Sequence, residues 1–181
     1  MLPSYWESKR LIFSTFDTTQ AELAKSLFDS NHQKVVYDHT FRDWPIAEYQ
    51  ALISKSSLPK NPDDLEAFYL RKISTQEGEP IGCIQLELNF PYKGCLWIPM
   101  LCLIPDYQCR GLGKEIVDSV LDVALEYASF NKAMLNVYVE NTDAFRFWFK
   151  QGFNHIEQFD DAEHELGREY HCIVLSKGIS R

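Results

Sequence analysis

The feature that most constrains the fold is a helix-period stretch, IVDSVLDVALEYA (116–128), set between two strand-like runs, CLWIPMLCLI (95–104) and AMLNVYV (133–139). Ile116, Val117, Val120, Leu121, Ala124, Leu125 and Ala128 form one apolar stripe, with Asp118, Ser119, Asp122 and Glu126 between them, which is the 3.6-residue period of an amphipathic helix. A strand, a helix and a second strand in succession imply a parallel strand pair, because the helix carries the chain back to the edge where it began. The turn into the helix, PDYQCRGLGKE (105–115), then lies at the carboxyl end of a parallel strand, where open α/β sheets hold ligands.

The rest of the chain reads in the same way. RLIFSTF (10–16) predicts a first strand, and TTQAELAKSLFDS (18–30) a helix opened by Thr19, with Glu22 at capping-box spacing. A loop from Asn31 to Arg42 leads to a second helix in WPIAEYQALISKS, where Pro45 is tolerated only near the start. SSLPKNPDD (56–64) reads as a loop, EAFYLRKIS and IGCIQLEL as a hairpin about EGEP, and NFPYKG as the turn into the run 95–104. In AMLNVYV, Leu135, Val137 and Val139 alternate with Asn136 and Tyr138; TDAFRFWFKQ predicts a short helix stopped by Gly152. FNHIEQF and EYHCIVLS close the chain as two strands about an acidic loop. Antiparallel strands first, then strands alternating with helices, predict an α/β (α+β) class with a mixed sheet covered by helices.

With 181 residues, 45% of them apolar, the chain is sized for one core and one domain, 1–181. The 18 Lys+Arg against 26 Asp+Glu give a formal charge of −8 with no basic tract, which argues against nucleic acid as a partner. An acidic surface suits cationic small molecules, although the same charge also serves solubility alone. Cys83, Cys95, Cys102, Cys109 and Cys172 form no CxxC pair and read as reduced thiols, and His32, His39, His155, His164 and His171 lack metal-ligand spacing, so no metal is expected. No apolar run approaches the roughly 18 residues of a membrane span, and MLPSYWESKR lacks the apolar core of a secretory signal. These features predict a cytoplasmic protein with no membrane partner.

Three phosphate-binding patterns compete for the glycine turn. A Walker A loop requires a glycine at 108 and Ser or Thr at 115, where the chain has Gln108 and Glu115. A dinucleotide fingerprint requires a third glycine where Ile116 stands. What remains is QxRGLG, in which Gly111 and Gly113 let backbone N–H groups converge at a helix start, with Arg110 and Lys114 adding local positive charge. Taken alone, a GxG of this kind is more often an ordinary strand-to-helix turn.

PDYQCRGLGK resembles motif A of the GCN5-related N-acetyltransferases (GNAT), [QR]xxGx[GA], with Gln108, Arg110, Gly111 and Gly113 in register. ENTDAFRFWFKQGF (140–153) resembles the family's later motif, NxxAxxxYxxxGF, through Asn141, Ala144, Gly152 and Phe153, one helix and one strand further on. The resemblance implies a mostly antiparallel twisted sheet of about seven strands, helices on both faces, splayed between its fourth and fifth strands. It implies acetyl-CoA as the acyl donor, with the pyrophosphate on the N–H groups of Cys109, Arg110, Gly111, Leu112, Gly113 and Lys114 and the pantetheine arm beside Leu101, Cys102 and Leu103. Asn141 resembles the family residue that hydrogen-bonds this arm, and it also stands where it would cap the following helix; Ala144 and Trp148 belong to the same site by resemblance. The implied reaction is direct transfer to an amine, with the N–H near Leu103 as an oxyanion donor, and homodimers are common among relatives.

The chain departs from the family in two places. Trp148 stands where many members have a tyrosine that protonates the thiolate, and Trp97 where others carry a base glutamate; an indole N–H is far too weak an acid for the first role. Tyr138 is then the candidate acid and Glu87 the candidate base acting through water, each with a plain structural alternative. The loop YDHTFRDW (37–44) and the final hairpin DDAEHELGREY (160–170) are expected to shape the acceptor pocket, with Asp160, Asp161, Glu163 and Glu165 attracting a cationic amine or simply solvated, and Trp44, Tyr37 and Trp148 as an aromatic wall or as core. An N-acetyltransferase is the function these features predict. A non-catalytic acetyl-CoA sensor on the same fold stays open because of the two tryptophans, and an ATP- or NAD-binding protein using the same turn is a third reading.

Overall fold

A computed structural model of the protein describes residues 2–58, 67–127, 130–160, 163–165 and 167–179. The strands are β1 (Tyr5–Glu7), β2 (Leu11–Ser14), β3 (Ala67–Thr75), β4 (Pro80–Leu88), β5 (Cys95–Leu103), β6 (Lys132–Tyr138), β7 (His155–Phe159), β8 (Glu163–Glu165), β9 (Arg168–Tyr170) and β10 (Cys172–Gly178). The α-helices are α1 (Ala21–Asp29), α2 (Ile46–Ser57), α3 (Leu112–Tyr127) and α4 (Thr142–Lys150). Eight strands form one mixed, mostly antiparallel sheet in the order β1-β2-β3-β4-β5-β6-β10-β7, and β8 and β9 make a separate hairpin. The sheet thus exceeds the expected seven strands; β1 is too short to show an alternating pattern in the sequence, so nothing local announced it.

Each face of the sheet carries its own core. The apolar stripe of α3 (Ile116, Val117, Val120, Leu121 and Ala124) packs with Ile84, Leu86, Leu96, Leu135 and Leu175, and Trp148 of α4 joins it. On the other face α1 and α2 bring Leu27, Phe28, Tyr49 and Ile53 onto Phe68, Leu70, Cys83, Met100 and Cys102. The alternation of β5 changes phase on the way: Ile98 faces the α3 side, whereas Met100, two residues on, faces α1. A bulge accounts for this, since Gln85 pairs with Met100 but Glu87 pairs with Trp97.

The parallel pair predicted from the central helix is β5 with β6, and it is short. Its ladder covers only Cys95, Leu96 and Trp97 against Lys132, Ala133 and Met134. Beyond Trp97 the strands part. Pro99, which has no N–H to offer a ladder, lies within the bulge and just past the last β5–β6 pair, so the break falls where proline costs least. This is the splay that the resemblance implied, between the fourth and fifth strands of that count, which β1 shifts by one.

Two local expectations need correction. Thr19 does not cap α1: its N–H and hydroxyl both go to Asp17 Oδ1, at 2.9 and 2.7 Å, and the N-cap residue is Gln20, whose side chain instead accepts from Asp17 N. The turn before the helix satisfied Thr19 first. The loop after α1 is not structureless, since His32–Val36 and His39–Phe41 are short 3-10 turns. Part of the predicted loop 56–64, from 59 onward, lies outside the described residues.

Candidate active site

Where β5 and β6 part, a cleft of about 710 Å³ opens between them. Its floor is the β5 edge from Ile98 to Leu103 and the β6 edge from Asn136 to Tyr138; its ends are the glycine turn, the first turns of α4, and the segment after α1. Two strand edges without a ladder between them present backbone polar groups that an extended ligand can satisfy.

The glycine turn forms one end of the cleft through local backbone geometry. Cys109 and Gly111 have φ of 57° and 76°, on either side of Arg110, a left-handed alternation that curves successive N–H groups into one concavity. Leu112, Gly113 and Lys114 then open α3, where helix geometry leaves the first N–H groups without partners inside the helix. Gly113 is glycine for a steric reason: a Cβ there would lie 2.9 Å from the Phe147 ring, so the start of α3 approaches the second half of α4 this closely only without a side chain.

Not every residue of the motif faces the cleft. Cys109, Gly111, Gly113 and Lys114 line it, whereas Leu112 is buried in the α3 core and Arg110 turns outward, its guanidinium 5.3 Å from the Tyr107 ring. Gln108 uses its side-chain amide to fold the turn back on β5, donating to Leu103 O at 2.7 Å and to Asn31 Oδ1 at 2.9 Å. Leu101 and Leu103 line the floor, and Cys102, which also borders the cleft, sends its buried Sγ toward Leu27 O, with burial pushing the thiol up to about 12.

At the opposite wall, Asn141 Oδ1 accepts from Ala144 N at 3.2 Å and so caps α4, while Nδ2 donates to Asp38 Oδ2 at 2.6 Å. Ala144 and Trp148 follow on the cleft-facing side of α4; Trp148 is buried and meets Phe153 edge-on at 5.3 Å. Tyr138 also lines the cleft, but it is buried rather than half-exposed, its ring 5.8 Å from Tyr170 in an edge contact, and Val139, expected inward, is exposed. The alternation predicted for 133–139 fails at its end because Tyr170 covers Tyr138 and β6 stops there, leaving Val139 beyond the strand.

Glu87 is not brought to this site. It sits opposite Trp97 at the joined end of β5 and β6, its carboxylate 4.0 Å from Lys55 Nζ, outside the cleft lining. Trp97 is there too, edge-on to Phe90 at 5.6 Å and packed with Cys95, Met134 and Val174. Of the expected acceptor residues, Tyr37 lines the cleft, whereas Trp44 donates to Thr40 O and stacks under Arg42 away from it. Asp160 accepts from Gln158 Nε2 at 2.6 Å. Asp161 and the side chains of Glu163 and Glu165 lie outside the described residues.

Asn31, Lys34, Arg146 and Lys150 line the cleft with no motif in the sequence to mark them, while Asp38 lies in the segment 37–44 expected at the acceptor pocket. Asn31, 1% exposed, donates to Leu103 O at 2.9 Å, and Asp38 bonds Asn141, so the segment between them straps the β5 side of the cleft to the β6 side. Lys34, Arg146 and Lys150 join Lys114 on the lining, a local excess of positive charge in a chain of net −8. Pro99 inside an apolar run was the readable hint of a broken ladder.

Residues 26–153 match the model of the acetyltransferase (GNAT) family. The chain belongs to the GNAT family of acetyltransferases. Its fold is that of solved GNAT structures at low identity. An acetyltransferase from Salmonella typhimurium that modifies the N-terminal serine of ribosomal protein L7/L12 superposes with a TM-score of 0.77 at 14% identity, over 99% of each chain. A GNAT-family acetyltransferase from Bacillus anthracis gives 0.71 at 14%, over 95% of this chain and 96% of that one. The microcin C7 self-immunity acetyltransferase, solved with acetyl-CoA and AMP, gives 0.72 at 15%, over 95% and 94%. The splayed sheet and the glycine turn are thus the GNAT scaffold on a chain whose sequence has diverged far from these relatives. No helix among its described residues is long and apolar enough to cross a membrane.

Proposed function

We propose that the protein is an acetyl-CoA-dependent N-acetyltransferase that moves the acetyl group directly to a primary amine. One observation carries this reading: the unladdered gap between β5 and β6 runs into a concavity of N–H groups at the start of α3. A long ligand with an anionic pyrophosphate at one end and an amide-bearing arm suits both parts, and acetyl-CoA would supply an activated acyl thioester there.

The residues present fit that group. The N–H groups of Cys109 to Lys114 take the pyrophosphate, with Lys114 and Lys34 as nearby cations; Leu101, Cys102 and Leu103 offer backbone groups along the gap. Arg110 and Leu112 contribute through the backbone alone, since their side chains point elsewhere. Gln108 acts by holding the turn to Leu103. Asn141 fixes the start of α4 and Ala144 and Trp148 line the arm's path.

For the chemistry, Tyr138 is an ionisable hydroxyl on the cleft lining and our candidate for returning a proton to the departing thiolate, the part an indole at 148 cannot play. Glu87 has no part in this proposal, because it lies at the joined end of the strands. The burden then falls on orientation, which in good geometry removes roughly 7 to 11 kcal/mol of barrier. The deciding experiment is thiol release from acetyl-CoA across amino acids, polyamines, aminoglycosides and free-N-terminal peptides, with the thermal shift by acetyl-CoA measured on the same sample. Amine-dependent release supports the transferase. Stabilisation with no release from any amine supports the acetyl-CoA sensor instead, and stronger stabilisation by ATP or NAD would overturn both.

A further inference from the structure

The cleft is divided by charge. Lys114, Arg146 and Lys150 line it from α3 and α4, and Lys34, on the strap, turns its ammonium to within 3.4 Å of Gln108 Oε1 beside the glycine turn. Two carboxylates line the cleft among the described residues, and they are opposites. Asp143 lies on the outer surface of α4, its side chain 96% exposed and 4.0 Å from Arg146. Asp38 is 7% exposed, on the strap across the α1–α2 side.

Both oxygens of Asp38 are held by neutral groups: Oδ1 accepts from Thr40 N at 3.1 Å and Oδ2 from Asn141 Nδ2 at 2.6 Å. Among the described residues no lysine, arginine or histidine is ion-paired to it. A buried carboxyl group held only by neutral donors has no cation of the fold beside it, and a cation admitted by the cleft is the partner it gains most from. The surroundings favour that cation: Tyr37, Phe41, Met100 and Tyr138 line the same space, and their apolar and aromatic surfaces exclude water and suit an ammonium.

Resting on the transferase reading above, we propose that Asp38 is the acceptor-recognition residue: it takes the ammonium of a cationic amine and then the proton that the nitrogen sheds during transfer. The arriving ammonium first gives one proton to water. The neutral amine forms the new C–N bond at the thioester carbonyl carbon as the C–S bond breaks, and the sulfur leaves with that bond's electron pair. Asp38 accepts the second proton from nitrogen, while the thiolate takes one from Tyr138 or solvent; both side chains then re-equilibrate with solvent, so that amine and acetyl-CoA give amide and CoA. Before transfer the carboxylate selects for charge, and during it the same carboxylate stabilises the positive charge developing on nitrogen.

The test uses amines with matched neutral partners: tyramine against 4-(2-hydroxyethyl)phenol, and an Ala-Ser-Ala peptide against its N-formyl form, alongside spermidine. Binding to the protein–CoA complex is measured by calorimetry, and thiol release from acetyl-CoA is measured separately. We expect wild type to bind at least one amine and reject its neutral partner, and Asp38→Asn to weaken that amine by about 30-fold or more, as for losing one half of a desolvated charge pair. Acetyl-CoA affinity should stay at the wild-type value. Equal amine affinity in the variant overturns the proposal, as does wild type binding no amine. So does a loss of acetyl-CoA affinity with amine binding intact, which would make Asp38 only a support for Asn141. If Asp38→Asn does not fold, Asp38→Ser retains an acceptor for Thr40 N–H and is read by the same criteria. Amine binding that depends on Asp38 without any thiol release would leave the ammonium site standing and sink the transferase reading.

Discussion

The glycine-turn wall of the cleft is a single run of chain, Gln108 to Lys114, whereas the strap wall, Asn31 to Phe41, is held by groups 72, 103 and 135 positions away: Leu103 O on Asn31, Asn141 on Asp38, and Tyr170 on Val35 O. The first wall gets its shape from the left-handed backbone of Cys109 and Gly111 and from the close approach that Gly113 permits. The second gets its shape from buried hydrogen bonds to β5, α4 and the end of β9. A site of this kind has one half whose form is local and another that exists only once the sheet has assembled, and the two halves should fail differently when altered.

The largest effect is expected on the strap. Asn31→Ala removes the amide that bridges Leu103 O and Gln108 at a position only 1% exposed, and we expect a loss of about 2 kcal/mol in urea unfolding, typical of leaving buried polar groups unpaired. An unchanged midpoint would show that the strap is not pinned from β5. Next, Gly111→Ala tests the local wall. A Cβ there meets only Arg10 Nη2, at 3.8 Å, so its cost comes from the φ of 76° alone, about 1 to 2 kcal/mol. Acetyl-CoA binding should weaken in parallel, because relief of that strain turns the N–H groups away; a loss of stability with full binding would separate the turn's conformation from its ligand.

The smallest effect concerns a long-range tie just beyond the glycine-turn wall, Glu115 at the first turn of α3, which accepts from Ser8 Oγ and Arg10 N and pairs with Arg10 Nε at 2.6 Å. Burial pushes its carboxyl up, but the hydrogen bonds from Ser8 and Arg10 outweigh that and hold it below the ordinary value. A lowered carboxylate stabilises the fold above its unfolded pKa, and that contribution is lost as pH falls through the folded one. Glu115→Gln should therefore lower Tm at neutral pH by the equivalent of about 1 kcal/mol or less, with the difference from wild type vanishing as acid protonates the group. A gap that persists in acid would assign the effect to packing instead of charge.

The sequence determined the elements whose cause is local. The α3 stripe, the parallel pair it demands, the glycines at 111 and 113 and the cap at Asn141 are each set by residues within a few positions, so periodicity and spacing expose them. Pro99 even marks where the ladder must stop. Assembly of the whole sheet is what puts Glu87 at the joined end of the strands, Tyr170 over Tyr138, and Asp38 of the loop after α1 against Asn141. Those placements depend on strand register and on contacts between segments far apart in the chain, and no local preference encodes them, because a carboxylate in a polar loop looks the same in sequence whether it ends in solvent or in a buried cleft.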